Sequence, residues 1–210
     1  MGNSIVAFAR QVADGIGSVI GVRAGTEEPP YTHTRLTHNV EIRRYEERIA
    51  AQTTVFGDDE SAARSTGFRR LAGYIFGGNH RNTKIAMTAP VSQQAGQKIA
   101  MTAPVSQEAD PEGGSVIRFF MPAELTMEEL PTPNDSSIVL VTVPAETLAV
   151  LRFTGDRSPK AVASRTVHLL DTLQDNGFKP NGEPNAWFYD PPWTLPFRRR
   201  NEVAVAVTPL

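Results

Sequence analysis

Residues 51–71 read AQTTVFGDDESAARSTGFRRL, and residues 149–169 read AVLRFTGDRSPKAVASRTVHL. At this offset of 98, Ala51 matches Ala149, Gly57 matches Gly155, Asp58 matches Asp156, Ala63 matches Ala161 and Leu71 matches Leu169. The identities fall at equivalent points of one pattern: a strand, a Gly-Asp turn, then an amphipathic helix. In the first copy Asp58 or Asp59 suits a helix cap, Phe68, Leu71, Ala72 and Ile75 make an apolar stripe, and Gly77-Gly78 ends it. In the second, Ser158-Pro159 is an N-cap and first-turn pair. Val162, Thr166, Leu169 and Leu173 supply the buried face there, and Gly177 the stop. The spacing predicts helices near 60–76 and 158–176. Alternating apolar residues predict strands at 40–45, 49–56, 116–121, 138–143, 148–153, 186–190 and 201–207. The expected fold class is α+β: a distorted antiparallel β-barrel built from two βαββ-like halves with two flanking helices. A polar, proline-containing break at 26–30 separates an N-terminal extension, 1–30, from a domain over 31–208.

A second repeat lies inside the first half. Residues 84–93 read KIAMTAPVSQ, and residues 98–107 repeat that decamer without a change. Ile, Met, Ala and Val alternate in both copies, and the segment between them contains Gly96. That pattern predicts two strands paired as a hairpin, with Met87 and Met101 on one face, although identical strands specify register weakly.

The composition removes several classes of function. A formal net charge of -2 argues against broad nucleic-acid binding. The absence of cysteine excludes disulfides, thiolate metal sites and thiolate-ligated haem. No stretch approaches the roughly 20 apolar residues of a membrane span. Ile5, Phe8, Val12, Ile16 and Val19 recur at helical spacing, so residues 4–22 suit an amphipathic helix. It either packs on the domain or rests on a membrane surface. The expected location is the cytoplasm, with membrane-surface association as the alternative. The sequence contains no zinc-protease, P-loop or nucleophile-elbow motif, and the four histidines show no metal-site spacing. A binder is expected rather than an enzyme.

Some residues suggest a ligand. Alternation puts Val40, Ile42 and Arg44 on one strand face, so Arg44 is expected to point inward and to require an anion, from the protein or from a ligand. Met87 and Met101 suit either a core or a flat aromatic ligand.

The chain resembles the SOUL haem-binding protein family. The resemblance is carried by Glu41-Ile42-Arg43-Arg44-Tyr45, Gly67-Phe68 through Gly78-Asn79, Lys98 to Val105, and Phe120-Met121-Pro122. Leu130-Pro131, Pro133-Asn134-Asp135, Phe153, Gly155, Pro191-Pro192-Trp193-Thr194, Pro196-Phe197 and Arg200-Asn201-Glu202-Val203 continue it in family order. It implies a distorted barrel that holds haem or another porphyrin non-covalently in a shallow apolar groove lined by the first helix. Carried over by position, that helix offers Ser65, Phe68, Ala72 and Ile75, with Met87 nearby. Some members carry a histidine, proposed as an iron ligand, where this chain has Arg44. Of the remaining histidines, His80 is the best placed to ligate iron, weakly or exchangeably, with Met87, Met101 or His38 as the alternatives. A module for other small amphipathic ligands, a tetrapyrrole-modifying enzyme and a protein-interaction module are the alternatives.

Overall fold

Asp59 opens the first helix, α1 (Glu60–Ile75), by accepting the backbone N–H groups of Ser61 and Ala62. Two donors that a helix start leaves without partners are thereby satisfied. Ser158 caps α2 (Pro159–Asp175) through Ala161, with Pro159 in its first turn. Gly77 (φ 112°) and Gly177 (φ 73°) follow the two helices in the left-handed region, where a Cβ is strained. Both helices lie where the spacing predicts them. The computed structural model describes residues 27–57, 59–80, 99, 103–110, 114–190 and 194–209. Among these residues no helix is long and apolar enough to cross a membrane. The candidate N-terminal helix, residues 4–22, lies outside them.

The strands are β1 (Tyr31–Arg35), β2 (Val40–Tyr45), β3 (Arg48–Phe56), β4 (Asn79–His80), β5 (Val105–Asp110) and β6 (Gly114–Phe120). They continue as β7 (Thr132–Pro133), β8 (Val139–Val143), β9 (Glu146–Phe153), β10 (Phe178–Pro180), β11 (Asn185–Phe188) and β12 (Asn201–Pro209). One curled antiparallel sheet runs β1-β2-β9-β12-β11-β5-β6-β3-β8, with β10 on β12, while β4 pairs with β7 separately. The order is nearly symmetric about the β5–β11 pair: β6-β3-β8 follows on one side and β12-β9-β2 on the other. The two βαββ units are β3-α1-β5-β6 and β9-α2-β11-β12. The strand that precedes each unit is exchanged, so β2 pairs with β9 and β8 pairs with β3. Arg48 and Glu146, equivalent positions of the offset-98 repeat, meet in an ion pair. The fold is the α+β distorted barrel expected, with a helix on the outside of each half.

Each helix seats on its own half. Leu169 and Leu173 of α2 pack on Val40, Ile42, Ala149, Leu151, Val203 and Val205. Leu71, Tyr74 and Ile75 of α1 pack on Ala51, Ile117, Phe119 and Met121. The inner face gathers Tyr45, Leu148, Val150, Trp187, Tyr189 and Ala204.

The expected decamer hairpin falls largely outside the described residues. Val105, Ser106 and Gln107 of the second decamer do lie in a strand, but both of its edges are taken, by β6 and by β11. No edge is left there for the first decamer. The first decamer, including Met87, and Met101 of the second lie outside the described residues.

Gly67 is where α1 touches the sheet most closely: a Cβ built there would stand 2.4 Å from Cγ1 of Ile117. Gly67→Ala should therefore lower stability by about 1–3 kcal/mol in urea unfolding, the usual cost of overpacking. Helix propensity alone predicts a gain of about 1 kcal/mol. Combining it with Ile117→Ala should cost less than the sum of the single changes. Additive costs would show that the two positions do not compete for space.

Candidate functional site

The helix that faces β6 leaves one edge of itself open. Along it Ser65 is exposed, Phe68 and Ala72 are half-buried, and Ile75 is 1% exposed. Phe68 packs edge-on against Phe119, with ring centroids 5.3 Å apart. Phe76, which closes the helix, is 59% exposed. Phe68, Ala72 and Phe76 follow one another at four-residue spacing, so they form a single apolar line along the helix. The sequence reading missed Phe76, though its spacing from Phe68 and Ala72 was the available signal. Arg69 lies beside this line, with its Nε donating to the carbonyl of Ser65 at 3.3 Å.

His80 follows the helix across Gly77 and Gly78. It is exposed, and its Nδ1 lies 2.8 Å from Oδ1 of Asn134, which β7 places opposite β4. An amide oxygen only accepts, so this contact puts the proton on Nδ1 and leaves the Nε2 lone pair outward. The described residues hold no ready-made group of three or more metal-ligating side chains.

A second concavity, of about 440 Å³, opens on the inner face, where the two halves meet. Phe120 and Trp187 contribute aromatic surface, with Glu108, Arg118, Glu146 and Asn185 around them. Its charges are largely neutralised internally, because Glu108 pairs with Arg118 and Glu146 with Arg48. Burial pushes the Glu146 carboxyl above its ordinary range, and Arg48 offsets this only in part. The Oδ1 of Asn185 is buried and has no hydrogen-bond partner among the described residues.

The family model described as SOUL heme-binding protein matches residues 26–206. The chain belongs to the SOUL haem-binding protein family. It is 30% identical over 166 residues to mouse (Mus musculus) heme-binding protein 2, covering 78% of this chain and 75% of that one. The human (Homo sapiens) heme-binding protein 2 is 30% identical over 137 residues, and the match spans 62% of its length. Two solved structures share the fold. The C-terminal domain of EcmrR aligns with a TM-score of 0.55 at 13% identity, over 86% of this chain and 99% of that one. A hydrolase from Listeria innocua aligns with a TM-score of 0.56 at 10% identity, over 82% and 93%.

In this SOUL chain the first-strand arginines exchange the roles expected of them. Arg44 does share a face with Val40 and Ile42, but at its end of β2 that face is open and its side chain is exposed. The buried arginine is Arg43, on the opposite face, 1% exposed. Strand β2 is covered on both faces, so alternation alone could not say which arginine went inside. The anion is internal: Arg43 donates to both carboxylate oxygens of Glu202, at 2.7 and 2.9 Å, and to Glu41 at 2.6 Å. Ile42 is buried under α2, in a different core cluster from Phe68 and Ile75. Neither Ile42 nor Arg44 therefore joins the α1 edge, which brings together Ser65, Phe68, Ala72 and Ile75.

Glu202 is 0% exposed. Burial acts to raise its pKa, but the hydrogen bonds and charges of Arg43, with Arg200 and the Tyr189 hydroxyl, outweigh it and hold the carboxyl below its usual range. A depressed folded pKa contributes stability at pH values above the ordinary glutamate range, and that stability is lost as pH falls through the folded pKa. Unfolding free energy should thus decline below about pH 4, with a shallower decline in Glu202→Gln; parallel pH curves would exclude Glu202 as the source. Arg43→Ala removes two of the buried hydrogen bonds that hold Glu202, leaving only Arg200 and Tyr189, and should cost about 3–5 kcal/mol in urea unfolding. Arg44→Ala should change stability by no more than about 0.5 kcal/mol. A large loss in the second variant would contradict this assignment.

Proposed function

We propose that this chain carries or buffers haem, or a closely related tetrapyrrole, non-covalently along the Phe68–Ala72–Phe76 edge of α1. The observation that carries the reading is that apolar line, exposed on the helix surface in a chain of the SOUL family. A half-buried ring fixed by Phe119 and a mostly exposed ring two turns away offer a flat macrocycle aromatic surface. Ala72 between them keeps the line low, Ser65 borders it, and Ile75 lies beneath it in the core. Arg69, exposed beside the line, replaces Arg44 as the group to meet a propionate, through a charge-assisted hydrogen bond. Bound haem would supply an iron centre able to take a nitrogen ligand. His80 fits that need chemically, because its Nδ1 contact with Asn134 orients the ring and leaves Nε2 as the donor. An exposed histidine on a two-residue strand makes an exchangeable ligand rather than a fixed one.

The concave cavity favours a second reading, a site for a smaller amphipathic molecule, on the strength of its aromatic surface and the unpartnered Asn185 oxygen. Haem titration followed by absorption separates the two. Ala72→Arg should weaken haem binding at least about tenfold, the cost of setting a charge on an apolar contact surface. Val141→Trp, which narrows the cavity, should leave it unchanged. The reverse pattern would move the site to the cavity. His80→Ala should alter the ferric spectrum while affinity for metal-free porphyrin stays the same. An unaltered spectrum would remove His80 as a ligand.

A further inference from the structure

The decamer repeat extends further than its identical part. Residues 84–97 read KIAMTAPVSQQAGQ and residues 98–111 read KIAMTAPVSQEADP, a tandem duplication of fourteen residues. Among the described residues the sheet holds this sequence at one place. Val105, Ser106 and Gln107 are held between β6 and β11. Ile99 donates its backbone N–H to the Ile75 carbonyl at the end of α1. The Gln107 amide donates to the Glu60 carbonyl at the start of α1 and to Ser115, and its oxygen accepts from Arg64. Each of these contacting residues has an identical counterpart in the first copy: Ile85, Val91, Ser92 and Gln93. We infer that the β5 position is a docking slot that either copy of the duplicated segment fills, giving the domain two interchangeable strand registers.

The chain permits the exchange. With the first copy in the slot, residues 81–85 must join His80 to the Ile99 position. Five residues span up to roughly 17 Å, and the carbonyl that Ile99 bonds belongs to Ile75, only five residues before His80. Two terms favour the register seen here. Glu108 pairs with Arg118, whereas the first copy has Gln94 at that place. A half-exposed ion pair of this kind biases the populations by up to roughly fivefold. The alternative register also lengthens the β5–β6 turn from 111–113 to 97–113, while shortening the β4–β5 connection from 81–104 to 81–90. Loop-closure entropy makes that net unfavourable by about fourfold. A combined bias near twentyfold leaves the second register within reach. The exchange carries fourteen residues from the Ile75 end of α1 to its Glu60 end, and it does not depend on which ligand the helix edge holds.

Proline in the slot tests this, because Ser106 sits mid-strand with neighbours on both sides. In the full chain Ser106→Pro should remain folded, with Tm lowered by roughly 4–8 °C, since the first copy replaces the second. The same substitution in a chain lacking residues 84–97 should abolish cooperative unfolding. That deletion alone, and Ser92→Pro alone, should leave Tm nearly unchanged. The slot exchange is wrong if Ser106→Pro unfolds the full chain as completely as the shortened one, or if the deletion alone prevents folding. Position can be read directly because the chain has no cysteine of its own. In the Ser106→Pro background, Ala95→Cys with Ser115→Cys should form an intramolecular disulfide, as Ala109→Cys with Ser115→Cys should in the parent chain, where Ala109 faces Ser115. A folded Ser106→Pro protein that leaves the Ala95/Ser115 pair reduced would overturn the exchange.

Discussion

Glu202 lies at the centre of the larger half of this domain, with no surface exposed to water. Its carboxylate accepts from Arg43 of β2, from Arg200 at the start of β12 and from the hydroxyl of Tyr189 after β11. Arg200 in turn reaches Glu28, tying down the segment that precedes β1. Charges removed from water this completely are tolerated only when each finds its partner in good geometry. The network therefore fixes how β2, β9 and β12 lie against one another. A shift of β2 that put Ile42 in place of Arg43 would take two hydrogen bonds from Glu202 and leave Arg200 and Tyr189 alone to meet its charge. The two tyrosines that border it, Tyr45 and Tyr189, titrate above the ordinary phenol range, first of all because they are buried.

Near the pseudo-symmetry axis a second arginine solves the same problem differently. Arg48 pairs with Glu146 and lies between the rings of Tyr45 and Phe120, 4.1 and 4.5 Å from their centroids. Aromatic faces supply part of the compensation that a second carboxylate would give. These charged assemblies occupy the inner face of the sheet and its rim. On α1 the exposed positions include Glu60, Ser61, Ser65 and Arg69, and among them Phe68, Ala72 and Phe76 keep one apolar line.

Much of the architecture was legible in the chain. Asp59, Ser158, Gly77 and Gly177 mark helix ends through local chemistry that tertiary contacts do not override, and the offset-98 repeat revealed two related halves. The strands that escaped notice, β1, β4, β7 and β10, are short or polar edges with no apolar alternation to announce them. The site was only half legible. Helical spacing brought Ser65, Phe68, Ala72 and Ile75 together, because neighbours on one helix stay neighbours in any fold. Which distant elements stand beside that line is what a periodicity of two cannot supply: Ile42 and Arg44, on one face of β2, lie elsewhere. The decamers show the same limit: likeness between two segments does not say what each pairs with, and in the described part of the second copy Val105–Gln107 lie between β6 and β11.

The exchange of β2 and β8 between the halves has a consequence for how the protein comes into being. Strand β2 pairs with β9, and β3 completes its second edge only with β8. A nascent chain leaving the ribosome therefore exposes the apolar faces of β2 and β3 until nearly three-quarters of its length has emerged. Neither half can close its own sheet first, so the domain has no natural waypoint at which a partial product is safe from association with its neighbours. Premature termination anywhere before β9 therefore yields a fragment with open sheet edges rather than a smaller folded domain.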